Sequence, residues 1–583
     1  AEHGFLLNDT PLELKGGCLH HDNGLLGAAA IDRAEERKVE LLKANGFNAV
    51  RCAHKPPSEK FLEACDRLGL LVIDEAFDHW QQPKNPDDYH RFFDEWNEKD
   101  FTAMLMRDRN HPSVIMWSIG NEIQERADTS GLRIIKNFRR LVEEYDPTRP
   151  VTLAVNDFWD KPNYTWKDSE RVFEQLDVGG YNYLWWLCES DHQQFPGRII
   201  YQSESTPMER AINWDLVENH PYIIGDFVWT AMDYLGETGI GHFSYVEQLV
   251  KGPHELLPWP CFNAWCGDID ICGDKKPQSA LRDILWGQSR IEILVHAPAP
   301  DGLFEKVSYW GWPDELATWN WKGSEGEMMD VRVFTRYPSV RLYLNGRFLE
   351  EKGTSKDAPD RYTALFRVRY EPGILKAVGI ENGMEKETTA LVTTGEPVKV
   401  SLKADRMILQ NSRNELSYVR IELVDKDGLL VRDDDRRVEL SVSGAGEIAA
   451  AGNASPVDME SFRSMSPKTF RGRALAIVRP TGQEGTVSIK VRSAGLPEET
   501  IRIEVGNVSL KTSPPAPPLR PRESEDQGRG AGVGSIIPGA IWRDSQGNTI
   551  NAHGGGILYH QGIYYWYGEY KGDSTYRLER VTT

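Results

Sequence analysis

A chain of 583 residues exceeds what a single hydrophobic core organises, so three or more domains are expected. Its composition, 40% hydrophobic and 10% aromatic with 18 Trp, is that of a globular protein. A formal net charge of −20 argues against a nucleic-acid backbone as partner, and no apolar run reaches membrane-spanning length.

In chain order, the sequence opens Ala1-Glu-His-Gly-Phe without a basic and apolar signal segment, and it stops at Arg580-Val-Thr-Thr583 soon after the apparent start of a new domain. The expectation is a chain truncated at both ends, which leaves localisation and oligomeric state open. Leu12–His20 is the first strand candidate, ending in His20-His21-Asp22. Asp32 is placed to cap a helix through Asn45 that stops at Gly46. Asn48–His54 is a second strand, ended by Pro56-Pro57, and Ser58 caps the helix Glu59–Leu68. Leu70–Glu75 is the third strand and Phe92–Arg107 the next helix.

Val114–Glu122, Val-Ile-Met-Trp-Ser-Ile-Gly-Asn-Glu, is the fourth strand, an apolar run that ends abruptly in Asn121 and Glu122. The helix Leu132–Tyr145 follows, then strands Val151–Val155, Val178–Tyr183, Ile199–Glu204 and Tyr222–Trp229. Strands alternating with helical spacers in that number predict a (β/α)8 barrel over residues 1–290. Its strands end in His20, His54, Glu75, Glu122, Tyr183, Glu204 and Trp229, a run of polar and aromatic ends that packing does not require. In such a barrel Glu122 after strand four and Glu204 after strand seven face each other at the carboxyl rim. Two carboxyls about 5 Å apart there suit retaining glycoside hydrolysis, one as nucleophile and one as acid/base.

The motifs Asn48-Ala-Val-Arg-Cys-Ala-His-Lys-Pro56, Asp74-Glu75, Trp117-Ser-Ile-Gly-Asn-Glu122, Gln202-Ser-Glu204 and Asp226-Phe-Val-Trp229 resemble the catalytic barrel of glycoside hydrolase family 2. That family holds β-galactosidases, β-glucuronidases and β-mannosidases. The resemblance implies Glu122 as acid/base, Glu204 as nucleophile and Asn121 as partner of the sugar 2-hydroxyl. It further implies Asp22 and His54 as sugar contacts, Tyr183 beside the nucleophile and Trp229 as a pocket wall. A carbohydrate substrate and a periplasmic or secreted location are what the family leads one to expect. The usual His-Tyr-Pro reads His54-Lys55-Pro56 here, and the Asn-x-Lys clamp of glucuronidases is missing from Gly267-Asp-Ile-Asp-Ile-Cys-Gly273, which disfavours a uronic acid. The substrate expected is a terminal β-galactoside of a plant-type glycan, with β-glucuronide or β-mannoside as alternatives.

Seven Cys all fall between Cys18 and Cys272, an odd count without regular spacing. Buried thiols or one disulfide account for them better than a framework. Cys261, Cys266 and Cys272 have no His at ligand spacing, and His20-His21-Asp22 suits sugar hydroxyls without a metal, so neither metal nor cofactor is expected.

From Arg290 the texture turns to alternating strands with turn punctuation, predicting immunoglobulin-like β-sandwiches over 291–396 and 397–506. Val340–Arg347 reads as two strands around an Asn345-Gly346 hairpin turn, and Tyr418–Val424 and Thr486–Val491 are strands of the second sandwich. Residues 507–536, rich in Pro, Gly, Arg and Glu, are a linker. Over 537–583, Asn551-Ala-His-Gly-Gly-Gly-Ile-Leu-Tyr559 and Tyr564-Tyr-Trp-Tyr-Gly-Glu569 resemble the first blade of a glycoside hydrolase family 43 β-propeller, too short to close one. A carbohydrate-binding scaffold on a dead barrel is the competing reading, but it has no need of the Glu122–Glu204 pair.

Overall fold

The computed structural model describes residues 2–249, 256–357 and 360–506, together with the backbone of three strands between His553 and Arg577. Eight parallel strands close a barrel: β1 (Leu14–Leu19), β2 (Ala49–Cys52), β3 (Leu71–Glu75), β4 (Val114–Asn121), β5 (Val151–Val155), β6 (Val178–Asn182), β7 (Ile200–Ser205) and β8 (Ile223–Val228), each beside its sequence neighbour and β8 returning to β1. The helices outside include α1 (Asp32–Ala44), α2 (Glu59–Leu68), α3 (His90–Asp108) and α4 (Thr129–Tyr145).

Local chemistry explains most of the boundaries. The Ser58 hydroxyl accepts the Phe61 N–H at 3.1 Å to start α2, and Gly69 at φ +71° ends it in the left-handed region open to glycine. Asp32 is not the cap expected of it. Ile31 holds that position, and Asp32 lies inside the first turn of α1 with Glu35, where a carboxylate still complements the helix dipole.

The barrel's interior and exterior follow the two-residue alternation of its strands. Leu14, Cys18, Ala49, Ile73, Met116, Tyr201 and Phe227 fill the inside, while Val50, Val72, Trp117 and Ile119 pack outward under the helices. Gly16 leaves the room that the Phe227 ring takes: a Cβ there would stand 2.4 Å from it. The same alternation splits Asp74-Glu75. Glu75 points inward, whereas Asp74 points out to Asp108 at the end of α3, and burial with that neighbouring charge pushes Asp74 well above the usual carboxylate range.

Beyond the barrel, two four-stranded sheets face each other over residues 291–392, sharing a core of Ile293, Val331, Leu342, Phe366 and Leu375 among others. A second pair covers residues 399–506 around Val419, Ile421, Ala476, Ile489 and Ile503. The first pair is tied to the barrel by Arg336–Glu218 and Arg361–Asp215, the second by Arg33–Asp405 and by Arg37 over the Tyr418 ring. The seven cysteines are buried free thiols, so the single disulfide considered from sequence does not form. The expected linker falls on residues outside those described, as does the start of the propeller-like stretch. His553–His560, Ile563–Gly572 and Thr575–Arg577 form a three-stranded antiparallel sheet of their own.

Candidate active site

Both glutamates predicted from sequence stand at the carboxyl ends of barrel strands, and in both strands the register slips just before them. Between β4 and β5 the pairing runs Ser118 to Thr152 and then Asn121 to Ala154, three residues against two. Between β6 and β7 it runs Gly180 to Tyr201 and then Asn182 to Glu204, again with the extra residue on the glutamate's strand. A bulge of one residue reverses which face a side chain takes. Asn121 and Glu204 are thereby directed into the mouth.

Arg51 of β2 joins the set, fully buried. Its guanidinium donates to Glu75 Oε2 at 2.8 Å and Oε1 at 2.9 Å, to Glu204 Oε1 at 2.8 Å and to Asn121 Oδ1 at 2.8 Å. Glu75 is held in turn by the Ser118 hydroxyl at 2.7 Å and by His54 Nδ1 at 2.7 Å. Although burial raises it, Arg51 and His54 bring the Glu75 carboxyl below the ordinary glutamate value. One cation thus fixes two carboxylates and an amide, the planar fork geometry for which arginine is suited.

Glu122 follows β4 in the left-handed region, at φ +43°, and Tyr183 follows β6 at φ +58°. Neither is Gly or Asn, so both carry backbone strain that the surroundings must hold. Glu122 N–H donates to Ala154 O at 2.8 Å, and its Oε1 accepts from Asn182 Nδ2 at 3.0 Å. Asn182 also donates to Asn121 Oδ1 at 3.1 Å and accepts from the Ser203 hydroxyl at 2.6 Å, so one amide couples the two glutamate strands. Asn121 Nδ2 donates to Asp78 Oδ1 at 3.0 Å.

The Tyr183 hydroxyl is hydrogen-bonded to Glu204 and accepts from Trp310 Nε1 at 2.9 Å. Trp310, with Tyr309 edge-on to the Tyr183 ring, comes from the segment after the barrel. Burial pushes the Glu204 carboxyl above the ordinary glutamate value. The charge of Arg51 pulls it down, and that of nearby Glu122 pushes it up again.

Of the other residues expected from sequence, His54 and Trp229 stack in parallel at 5.2 Å and wall the mouth. His20 packs edge-on to both and lies face to face with Tyr234 at 3.7 Å. Asp22 is not brought to this set. Its carboxyl accepts backbone N–H groups of Gly24 and Leu235, and burial raises it to about 6. Arg51, Glu75, Asn182, Asp78 and Trp310 were not singled out as site residues. An arginine inside an apolar strand was the available signal for the first. Among the described residues no group of three or more His, Cys, Asp and Glu is arranged to hold a metal, and no helix is long and apolar enough to cross a membrane.

Comparison with known proteins places this geometry in context. Residues 1–192 match the family described as glycosyl hydrolases family 2, TIM barrel domain. Residues 400–502 match glycoside hydrolase family 2 C-terminal domain 5, and residues 326–387 match a domain of unknown function, DUF4982. These matches lend no support to the propeller resemblance. A Bacteroides ovatus protein named Beta-galactosidase BoGH2A is 31% identical, over 86% of this chain and 62% of its own. A Formosa agariphila protein named Putative beta-glucuronidase is 27% identical, over 84% of this chain and 48% of its own. The solved structure of a glycosyl hydrolase family 2 member from Bacteroides cellulosilyticus superposes with a TM-score of 0.81 at 42% identity, covering 87% of this chain and 64% of that one. The chain thus spans less than two thirds of the length of these relatives.

Proposed function

The chain belongs to glycoside hydrolase family 2, and from that premise we propose that it is a retaining exo-β-glycosidase, with a terminal β-galactoside as substrate. The observation that carries the reading is the delivery of Glu122 and Glu204 to one barrel mouth by two bulged strands whose ends Arg51, Asn121 and Asn182 tie together.

In this mechanism Glu204 attacks the anomeric carbon and Glu122 protonates the departing oxygen. Water, deprotonated by Glu122, then releases the sugar with its β configuration kept. Arg51, donating to Glu204 Oε1, and the Tyr183 hydroxyl, bonded to the same carboxylate, hold it in line. Asn182 donates to Glu122 Oε1, so the acid's proton belongs on Oε2. Asn121, whose oxygen is occupied by Arg51 and Asn182, offers the amide N–H not given to Asp78 to the 2-hydroxyl, where hydrogen bonds strengthen in the transition state. His54 and Trp229 supply the ring wall for the sugar. A carboxyl separation of about 5–5.5 Å belongs to this mechanism, and about 6.5 Å or more to the inverting one.

A relative named as a β-galactosidase and the absence of the Asn-x-Lys clamp both support galactoside over glucuronide. The two sheet pairs, read from sequence as immunoglobulin-like, are assigned a supporting role, and Trp310 is their link to the chemistry. The propeller reading of residues 537–583 rests on sequence alone. A panel of nitrophenyl β-glycosides tests the substrate: hydrolysis of the β-galactoside first, with β-galactose released as the initial anomer by proton NMR, is the expected result. Preference for the β-glucuronide or β-mannoside replaces the sugar and keeps the mechanism. An α-anomer seen first ends the retaining reading.

A further inference from the structure

Away from the glutamates, where residues 265–283 of the barrel segment meet both sheet pairs, lies a cavity of about 480 Å³. Its lining is cationic in a way that fold stability does not call for. Arg420, Arg432, Arg471 and Arg473 of the second sheet pair enter it, opposite Lys275 and Lys276. Four carboxyls line it too, and their partners can be traced. Asp274 takes Arg420 at 2.6 Å and Arg473 at 3.6 Å, and Asp283 takes Lys275 at 2.5 Å. Asp270 accepts the backbone N–H groups of Cys272 and Asp274 and is raised to about 6 by burial and the neighbouring Asp274. Burial also raises the fourth, Glu292.

The cations do not close the account. Arg473 has Glu422 at 3.3 Å as a second partner, and Lys276 is spent on Asp233 at 2.8 Å. Arg471 meets Asp314 at 3.6 Å and lies over the Phe470 and Trp265 rings at 5.1 and 5.8 Å, from a backbone at φ +53° that an arginine does not prefer. Among the described residues, Arg432 forms no hydrogen bond or ion pair. Burial and the charges of Arg473 and Arg471 lower its pKa to about 10, against the raising charges of Asp274 and Glu422. Three guanidinium groups gathered in one cavity repel each other, and an anion bridging them would offset that repulsion.

We infer that this cavity is a binding site for a small oxyanion-bearing molecule, a phosphate, sulfate or carboxylate ester or acid of up to monosaccharide size, held by Arg432 and Arg471 with Arg473 beside them. Guanidinium groups match such oxygens in pairs, and the cavity has the volume of a small-molecule site. The inference is independent of the proposed glycosidase activity.

The test is thermal melting of the full chain with inorganic phosphate, sulfate or glucuronate, each against chloride at matched ionic strength. At least one oxyanion is expected to raise the melting temperature in a saturable way, and which one does so identifies the headgroup. In Arg432→Gln the half-saturating concentration should rise by about ten- to a hundredfold, and Arg432→Lys should fall between. Without anion, Arg432→Gln should melt no lower than the parent, because it removes an unpaired charge, whereas an arginine that only braces the fold would melt lower. No saturable shift with any probe overturns the proposal. An equal shift in Arg432→Gln, or a lowered melting temperature of that variant without anion, overturns it as well. Glycoside turnover reports on neither outcome, so failure here leaves the barrel chemistry untouched.

Discussion

The barrel mouth and the hairpin Ser339–Gly353 of the first sheet pair are both built from strands turned at left-handed residues, and they use that conformation for opposite ends. In the hairpin, Asn345 at φ +51° and Gly346 at φ +79° connect strands paired Leu344 to Arg347, the two-residue turn that Asn-Gly favours. Alternation is clean along Ser339–Leu344, with Val340, Leu342 and Leu344 buried and Arg341 and Tyr343 more exposed. The return strand carries a one-residue bulge at Leu349, between the Leu342–Glu350 and Tyr343–Phe348 pairs. At the mouth the same backbone region is imposed on Glu122 and Tyr183, the strands are bulged, and a fully buried arginine holds carboxylates. A bulge alone therefore does not separate the two regions; what separates them is that the left-handed positions of the hairpin fall on Asn and Gly, which suit them, and those of the mouth on Glu and Tyr, which do not.

The largest effect should separate the two regions completely. Glu204→Gln is expected to lower kcat by roughly 10³-fold or more. Glu122→Ala should lose about 10²–10⁴-fold, most for poor leaving groups, and azide should rescue it on activated aryl glycosides with a β-azide product. Circular dichroism should show both variants folded. Near-parental turnover in Glu204→Gln would remove the mouth's claim to the chemistry.

A smaller effect probes how the sheet pairs reach the mouth. Trp310→Phe deletes the N–H that the Tyr183 hydroxyl accepts at 2.9 Å, freeing that hydroxyl to turn from Glu204. One lost buried hydrogen bond corresponds to about a tenfold fall in kcat, with KM little changed. An unchanged kcat would make Trp310 a packing residue alone. The acid limb of the pH profile is a finer measure of the same environment. Glu204 must be ionised to attack, and burial with the Glu122 charge raises its pKa, so kcat/KM should decline on acidification at a higher pH than an ordinary glutamate would give. A limb at or below the ordinary value, about 4.3, would show the Arg51 charge prevailing over burial.

The contrast also explains what could be read from sequence. Strands β3 and β5, the helix starting after Ser58 and the Asn345-Gly346 turn are cases where composition and period coincide with the structure to within a residue. Glu122 and Glu204 stood out as a pair: either one alone reads as the first solvated residue of a loop, and two carboxylates ending strands at one barrel rim do not. The bulges were not legible, since a one-residue slip in pairing has no period of its own, and without them Asn121 would have been placed facing outward. Arg51 looked like one charge in a strand, and its four contacts lie on β3, β4 and β7. Trp310 stands 127 residues from Tyr183, beyond any local pattern. Asp22 was read as a sugar contact from its place in the motifs alone, and its carboxyl accepts the backbone N–H groups of Gly24 and Leu235, contacts that no sequence pattern announces.

The smallest effect is the most exacting for the comparison, because it concerns strain alone. A Cβ on Gly346 would meet nothing within 4 Å, so Gly346→Ala changes only the conformational cost of φ +79°. That cost is about 1 kcal/mol, and it should appear as a lowered denaturation midpoint with unchanged kcat and KM. Glu122→Gly is the mirror experiment at φ +43°: it relieves the same kind of strain and separates a like charge from Glu204. It should lower turnover as Glu122→Ala does without lowering the midpoint, even though the hydrogen bond from Asn182 is lost. If Glu122→Gly instead unfolds at clearly lower denaturant than its parent, the left-handed glutamate is a structural keystone of β4, and strain at the mouth has been wrongly assigned to function.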